Sequence, residues 1–370
     1  MAVGRNGLRR RRTLVALGTT LFLALATMTV PLIAGSASAK LAAVATTDPS
    51  CLSAGATGLT AKIVAHNGQW IGYRYVNATG CDIGIYVGPG VHDVTIVHDY
   101  VTGANDHGIF VQDTGGVSIR DNGVVHNGLA PNKCGTPPCI AEDKAIELSG
   151  THGVVVQGNL VEDNFADGGI GVSDDGPIDP GAPSSGTLHA GTWNVVSGNQ
   201  IIDDAFGCGI VVAAYDAGAG VAHNLVRGNV IIGSGPGTGP FVGGIVVAAD
   251  TPGTFAWDNT VAHNRIYSSL IPGIVVHSNA PGDKVWNNTL RSNQISNNGF
   301  EGPPNDPTVP TGIEVVAEAA PGEPNAPTLA NTTVLYDTIN NNAIGVWLCN
   351  EANTQIVGLQ GYTPVSVESC

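Results

Sequence analysis

The chain has 370 residues, with 15 basic side chains against 30 acidic ones and a formal net charge of −15. Removing its arginine-rich start would leave 10 bases against the same 30 acids, a balance that argues against a nucleic-acid partner. Only 12% of residues are charged while glycine numbers 51, a composition that suits stacked short strands and corners.

Residues 1–39 read as an export signal. Arg5 and Arg9 to Arg12 form the basic region, Thr13 to Ile33 the apolar stretch, and Ala37-Ser38-Ala39 a small-residue cleavage site. A secreted product starting at Lys40 is expected, with no membrane span after cleavage. Residues 40–80 carry no clear copy of the repeats that follow and are expected to form an N-terminal cap and an irregular first coil, because a stack of strands exposes an unpaired edge that must be covered.

From residue 81 to 346 a four-residue phrase recurs nine times: Gly84 to Val87, Gly108 to Val111, Ala145 to Leu148, four-residue runs starting at Gly169, Gly209, Gly244, Gly273 and Gly312, and Ala343 to Val346. A second phrase precedes all but the first copy, with Asn or Asp two places before an aliphatic residue: Asp99, Asn122, Asn159, Asn199, Asn229, Asn264, Asn293 and Asp337. The first phrase alternates with period two and is too short for a helix, so it reads as a strand with its two aliphatic residues on one face. Glycine and asparagine tolerate the sharp corners between strands. Repeated short strands broken by such corners predict an all-β solenoid of about nine to ten coils, paired in parallel about 4.8 Å apart. The asparagine column is expected to stack as a structural ladder.

Asn127 to Ala141, Asp174 to Thr192 and Phe300 to Thr311 interrupt the repeats as Pro- and Gly-rich insertions, and residues 347–370 close the far end. The seven cysteines pair most locally as Cys51 with Cys81, Cys134 with Cys139 and Cys349 with Cys370, leaving Cys208 alone. Scattered His98, His126, His223, His263 and His277 read as surface or corner residues. The tryptophans at 70, 193, 257, 286 and 347 can stack on sugar rings, cover coil ends or pack under loops. Glycine-rich stretches lack a phosphate-loop ending, so no nucleotide site is expected.

On these phrases the chain resembles the right-handed parallel β-helix proteins of the pectate-lyase-like superfamily. The resemblance covers roughly Cys81 to Val346 and is specific for fold, since this architecture hosts lyases, hydrolases, epimerases and adhesins. It implies a groove along one sheet, with calcium-binding aspartates and a basic residue that carries β-elimination. Matched onto this sequence, it implies Asp143 and Asp167, with Asp106, as metal ligands and Lys144 as the base.

The residues point to the same coils. Two places before the phrase stand Asp106, Asp143 and Asp167, and no later coil has an acid there. Nearby are His107, Lys144, Glu147, Gln112, Asp113, Ser173, Asp174 and Asp175. Clustered carboxylates raise one another's pKa or recruit a cation, and a lysine or histidine beside them can move a proton at sugar carbon or glycosidic oxygen. The roles expected are catalytic for Lys144, Asp143, Glu147 and His107, substrate-binding for Gln112, Asp113, Ser173 and Asp175, and calcium-binding for Asp106, Asp167 and Asp174. The same acids also read as corner residues chosen for turn chemistry. The expected function is a monomeric carbohydrate-active protein, a polysaccharide lyase or glycoside hydrolase; the competing class is a non-catalytic surface scaffold or glycan-binding solenoid.

Overall fold

The computed structural model describes residues 51–129, 144–165, 168–174, 190–203, 207–235, 242–300, 307–318, 325–361 and 366–370. All of them lie in the unit Ala43–Cys370. The expected cleavage site and the Cys134 and Cys139 pair fall outside the described residues.

Each coil visits the same sheets in turn. Ile83–Val87 lies in a first sheet of twelve strands, Thr95–Val97 in a second of ten and Tyr100–Thr102 in a third of nine, before His107–Gln112 returns to the first. From Gly191–Thr192 onward, a fourth sheet of five strands adds a side between the first and the second. Pairing between successive coils is parallel and in register, as with Ile109 beside Ile146 and Ile146 beside Ile170. The single antiparallel pair among the described residues caps the start, where Leu52–Ser53 covers the edge strand Thr60–Val64. Regular pairing begins with that coil: Trp70–Gly72 and Tyr75–Asn77 align with Thr95–Val97 and Tyr100–Thr102.

The two sequence phrases meet in the core. Ile85, Ile109, Ile210 and Ile274 from the first sheet pack with Ile96, Ile119 and Val226 from the second and Val101, Val124 and Ile231 from the third. The phrase glycine has a steric reason. A Cβ at Gly108 would run into Val124, and at Gly209, Gly244 and Gly273 it would lie 2.5–2.6 Å from the Cγ2 of Ile231, Ile266 and Ile295. The glycine lets the third sheet approach closely. One register differs from expectation: Ile313 pairs with Val346 and Glu314 with Trp347, so the ninth phrase is Gly345 to Leu348, two residues later than Ala343 to Val346. The alanine-isoleucine pair at 343 and 344 imitates the phrase, but Gly345 meets the close approach beside Gly312.

Every corner between the second and third sheets holds a left-handed residue, among them Tyr73, His98, Asp121, His263 and Tyr336, with glycine at 158, 198 and 228. The asparagine ladder follows it. The amide Nδ2 of each of Asn122, Asn159, Asn199, Asn229, Asn264 and Asn293 donates to Oδ1 of the next rung at 2.9–3.0 Å, the last rung being Asp337. Backbone N–H groups of the same residues donate to the same oxygens. Two further ladders stand five residues to either side: Asn194, Asn224, Asn259 and Asn288 at one corner, Asn127 and Asn164 at another. His126 and His223 also occupy left-handed corners. His277 does not: it lies within the strand Ile274–Ser278, buried, and burial pushes its imidazole down to about 4.

Disulfides join Cys51 to Cys81 and Cys349 to Cys370 near the two ends, and Cys208 is buried outside either disulfide.

Candidate functional site

The outer face of the first sheet is set by the bend at each phrase glycine. Strict alternation would point Gly108 outward along with Asp106. Gly108 instead faces the core, and the outward residues become His107, Phe110 and Gln112. In the next coil the equivalent places are Lys144, Glu147 and Ser149, and in the one after, Gly168, Gly171 and Ser173.

These coils form a polar island between two apolar clusters. Toward the N-terminus, Ala54, Leu59, Ala61, Ile83, Tyr86 and Phe110 pack together. Beyond the island, Cys208, Val211, Ala213, Val246, Ala248 and Val275 do the same.

The island is built on two missing side chains. A Cβ on Gly168 would sit 2.8 Å from Lys144 Cδ, and one on Gly171 would sit 2.7 Å from Lys144 Cγ and collide with the Glu147 carboxylate. Lys144 and Glu147 therefore lie side by side across the following coil. Ser173 Oγ donates to Glu147 Oε1 at 2.8 Å. His107 Nδ1–H donates to the Lys144 carbonyl at 3.0 Å, which fixes the proton on that nitrogen, and the imidazole stacks on Phe110 at 4.8 Å. Tyr86 Oη donates to Gln112 Oε1 at 2.9 Å, and burial, with the Asp113 charge, raises its phenol. All of His107, Gln112, Lys144, Glu147 and Ser173 are buried.

The structure thus brings together His107, Gln112, Lys144, Glu147 and Ser173. Asp113 stands apart, left-handed at the corner after its strand, where it lines a shallow recess of about 440 Å³ with His92, Asp93, Thr114 and His152. Asp106 is buried just before the bend, its N–H bonded to the Asp82 carbonyl at 2.9 Å. Asp174 is fully buried at a corner, where its carboxylate accepts the N–H groups of Tyr215 at 2.9 Å and Asp216 at 3.2 Å. Burial, aided by the Asp216 charge, pushes Asp174 up to about 7. Asp143, Asp167 and Asp175 lie outside the described residues.

Among the described residues no three His, Cys, Asp or Glu side chains converge as a metal site. Asp174 in particular faces amide donors, as a corner acid does. What the island offers is an amine and a carboxylate held beside each other, with a hydroxyl and an imidazole within the same group, and such pairs can exchange protons with a bound substrate. The steric signal that locates it in the sequence is the paired glycine at 168 and 171, one coil beyond Lys144 and Glu147.

Structural comparison gives the A-module of the mannuronan C-5 epimerase AlgE4 of Azotobacter vinelandii, 14% identical, covering 84% of this chain and 85% of that one with a TM-score of 0.50. The surface adhesin PfbA of Streptococcus pneumoniae is 13% identical over 81% of this chain and 70% of its own, with a TM-score of 0.48. A family 28 exopolygalacturonase of Yersinia enterocolitica is 13% identical over 77% and 46%, at 0.44. The comparison with curated proteins found no match. The right-handed beta helix region family matches residues 61–254, which is 194 of the 370, and with the stacked parallel sheets this places the chain in that family of right-handed β-helix proteins.

Proposed function

We propose that this chain is an exported glycan-processing β-helix protein whose proton-transfer groups are Lys144 and Glu147, flanked by His107, Gln112 and Ser173. One observation carries the reading: a lysine and a glutamate laid together over Gly168 and Gly171 on a sheet face that is apolar on either side. Buried charges are costly, and a fold that sets a buried lysine beside a buried glutamate on this face, whose other buried acid among the described residues is Glu314 five coils on, has a reason for doing so other than stability. In elimination, one group takes the proton from sugar carbon while a second gives one to the departing glycosidic oxygen; an amine and a carboxyl group supply both roles. In hydrolysis a carboxyl pair is needed, and Glu147 would then be one of its two members. The two disulfides suit an oxidising, extracytoplasmic setting. Among the described residues no helix is long and apolar enough to cross a membrane.

The test is a panel of acidic and neutral polysaccharides, with and without calcium, read by ultraviolet absorbance for unsaturated products and by reducing-end release for hydrolysis. Activity that disappears in both Lys144→Ala and Glu147→Gln supports the assignment. Activity unchanged in both variants refutes the site.

A second reading, a non-catalytic glycan-binding solenoid, draws on Asp174. Its carboxylate is consumed by backbone donors as a corner acid would be. Folded wild-type protein that is silent across the whole panel would favour it.

A further inference from the structure

Across the coil from the first sheet, at the corner joining the second and third sheets, the first two coils expose aromatic side chains around a single bend. Trp70 opens the strand Trp70–Gly72, and residues two apart on a strand face the same side. A Cβ on Gly72 would sit 2.7 Å from Trp70 Cζ2 and Cη2, so the indole lies flat across its own strand in the space the glycine leaves. Its other face is open: Trp70 is 53% exposed.

Tyr73 continues the surface around the bend. Its ring centre is 5.8 Å from Trp70 and 5.0 Å from His98, the residue at the same corner of the next coil. Tyr73 is 73% exposed and left-handed, with φ 55°. The left-handed conformation is the rule at this corner, taken by glycine at 158, 198 and 228 and by a second tyrosine, Tyr336, in a later coil. Tyr73 thereby holds its ring in water beside two further rings, Trp70 and His98. On the third-sheet side, Tyr75 and Tyr100 stack at 5.6 Å with their planes 8° apart. Arg74 stands exposed between the two tyrosines of its own coil.

We infer that this aromatic corner is a second carbohydrate-binding surface, separate from the Lys144 and Glu147 island, which takes pyranose rings of a glycan chain. Its chemistry favours sugar over a protein partner. The exposed large apolar side chains between residues 70 and 100 are Trp70, Tyr73, Tyr75 and Tyr100, with no aliphatic residue among them. Each pairs a flat apolar face with a hydrogen-bonding edge, which matches a sugar ring whose C–H face is ringed by hydroxyls. A protein contact of useful size would need a broader patch with an apolar centre.

Isothermal calorimetry on the folded chain tests this, using neutral hexose oligosaccharides and uronate oligosaccharides of equal length as separate probes. Either class binding supports the pyranose surface, and a preference for uronates would assign the Arg74 guanidinium a role. Trp70→Ala and Tyr73→Gly are expected to weaken binding by about tenfold or more, as loss of an aromatic anchor does. Tyr73→Gly removes the ring and suits the left-handed corner, so it should fold at least as stably as the parent while losing affinity. In a Lys144→Ala, Glu147→Gln double variant the binding component that Trp70→Ala removes should persist, which separates this surface from the proposed reaction site. Unchanged binding in both corner variants overturns the inference. So does the absence of any saccharide binding, above all if sedimentation shows a dimer that Trp70→Ala dissolves, since the corner would then meet a second copy of the chain.

Discussion

Replacing Asp337 with asparagine should stabilise the protein at neutral pH and leave it unchanged in acid. Asp337 is the last rung of the longest ladder, fully buried, and its Oδ1 already accepts the N–H and Nδ2 of Asn293. Its Oδ2 has no partner among the described residues. In the rung before, the equivalent atom is an amide nitrogen that donates to the Val261 carbonyl at 3.1 Å; one coil on, Leu290 takes the place of Val261. A protonated carboxyl can donate there and an ionised one cannot. Burial accordingly pushes Asp337 up to about 6 from an ordinary 3.8. Because the folded state holds the proton more tightly, this group's contribution is full below pH 3.8, falls as pH rises between 3.8 and 6, and is lost above that. The loss is about 3 kcal/mol for a shift of about two pH units. An unfolding entropy of about 0.7 kcal/mol/K for a chain of this size converts that to a gain of about 4 °C in Tm. Asp337→Asn should show it at pH 7.5 and not at pH 3.5, by differential scanning calorimetry. Asp99 and Asp174, also raised by burial, contribute equally to both proteins and cancel. An equal gain at the two pH values, or a loss at pH 7.5, would refute the protonated-rung account.

Gly108→Ala should cost about 1–3 kcal/mol by overpacking against Val124, read from the urea midpoint. Gly153→Ala, left-handed but in open space, isolates the backbone cost of about 1–2 kcal/mol, and its effect should be independent of Val124→Ala where that of Gly108→Ala is not. Additive effects of Gly108→Ala and Val124→Ala would count against the close-approach role of the glycine. Converting Cys51 and Cys81 to serine opens a link between residues 30 apart and should lower stability by about 3–4 kcal/mol. Amide exchange should then rise first in the capping pair Leu52–Ser53 and Thr60–Val64; exchange that rises evenly along the chain would mean the cap is not a local device.

Much of the fold was legible because the physics repeats. The two phrases are the inward residues of three sheets, and the polar position of the second phrase is the ladder. The disulfides at the two ends followed from local spacing. The flanking ladders leave a fainter signal, a second asparagine five residues before Asn199, Asn229, Asn264 and Asn293 and five after Asn122 and Asn159. The site was harder. Period-two alternation carried through Gly108 selects Asp106 as outward, whereas the strand bends at that glycine and presents His107 and Lys144. Alternation describes a strand with side chains on both faces, and it fails where a glycine allows two successive residues to face the core. The aromatic corner was legible only as scattered tryptophans, because Tyr73 and Tyr75 precede the first repeated phrase and Tyr100 fills a variable position within one.

The ladders also give the solenoid a direction. Every asparagine rung donates forward and accepts from behind, so the stack has an acceptor end and a donor end, and a coil can be added or removed only as a whole link that offers both. Excising the 29 residues from Asn264 up to Asn293 would rejoin like to like, handing Asn229 a new acceptor in the same place. A deletion of any length that drops a rung without its corner would leave two buried donors facing nothing. Change in such a chain is quantised by coil, which is how the solenoid can lengthen while its walls stay in step.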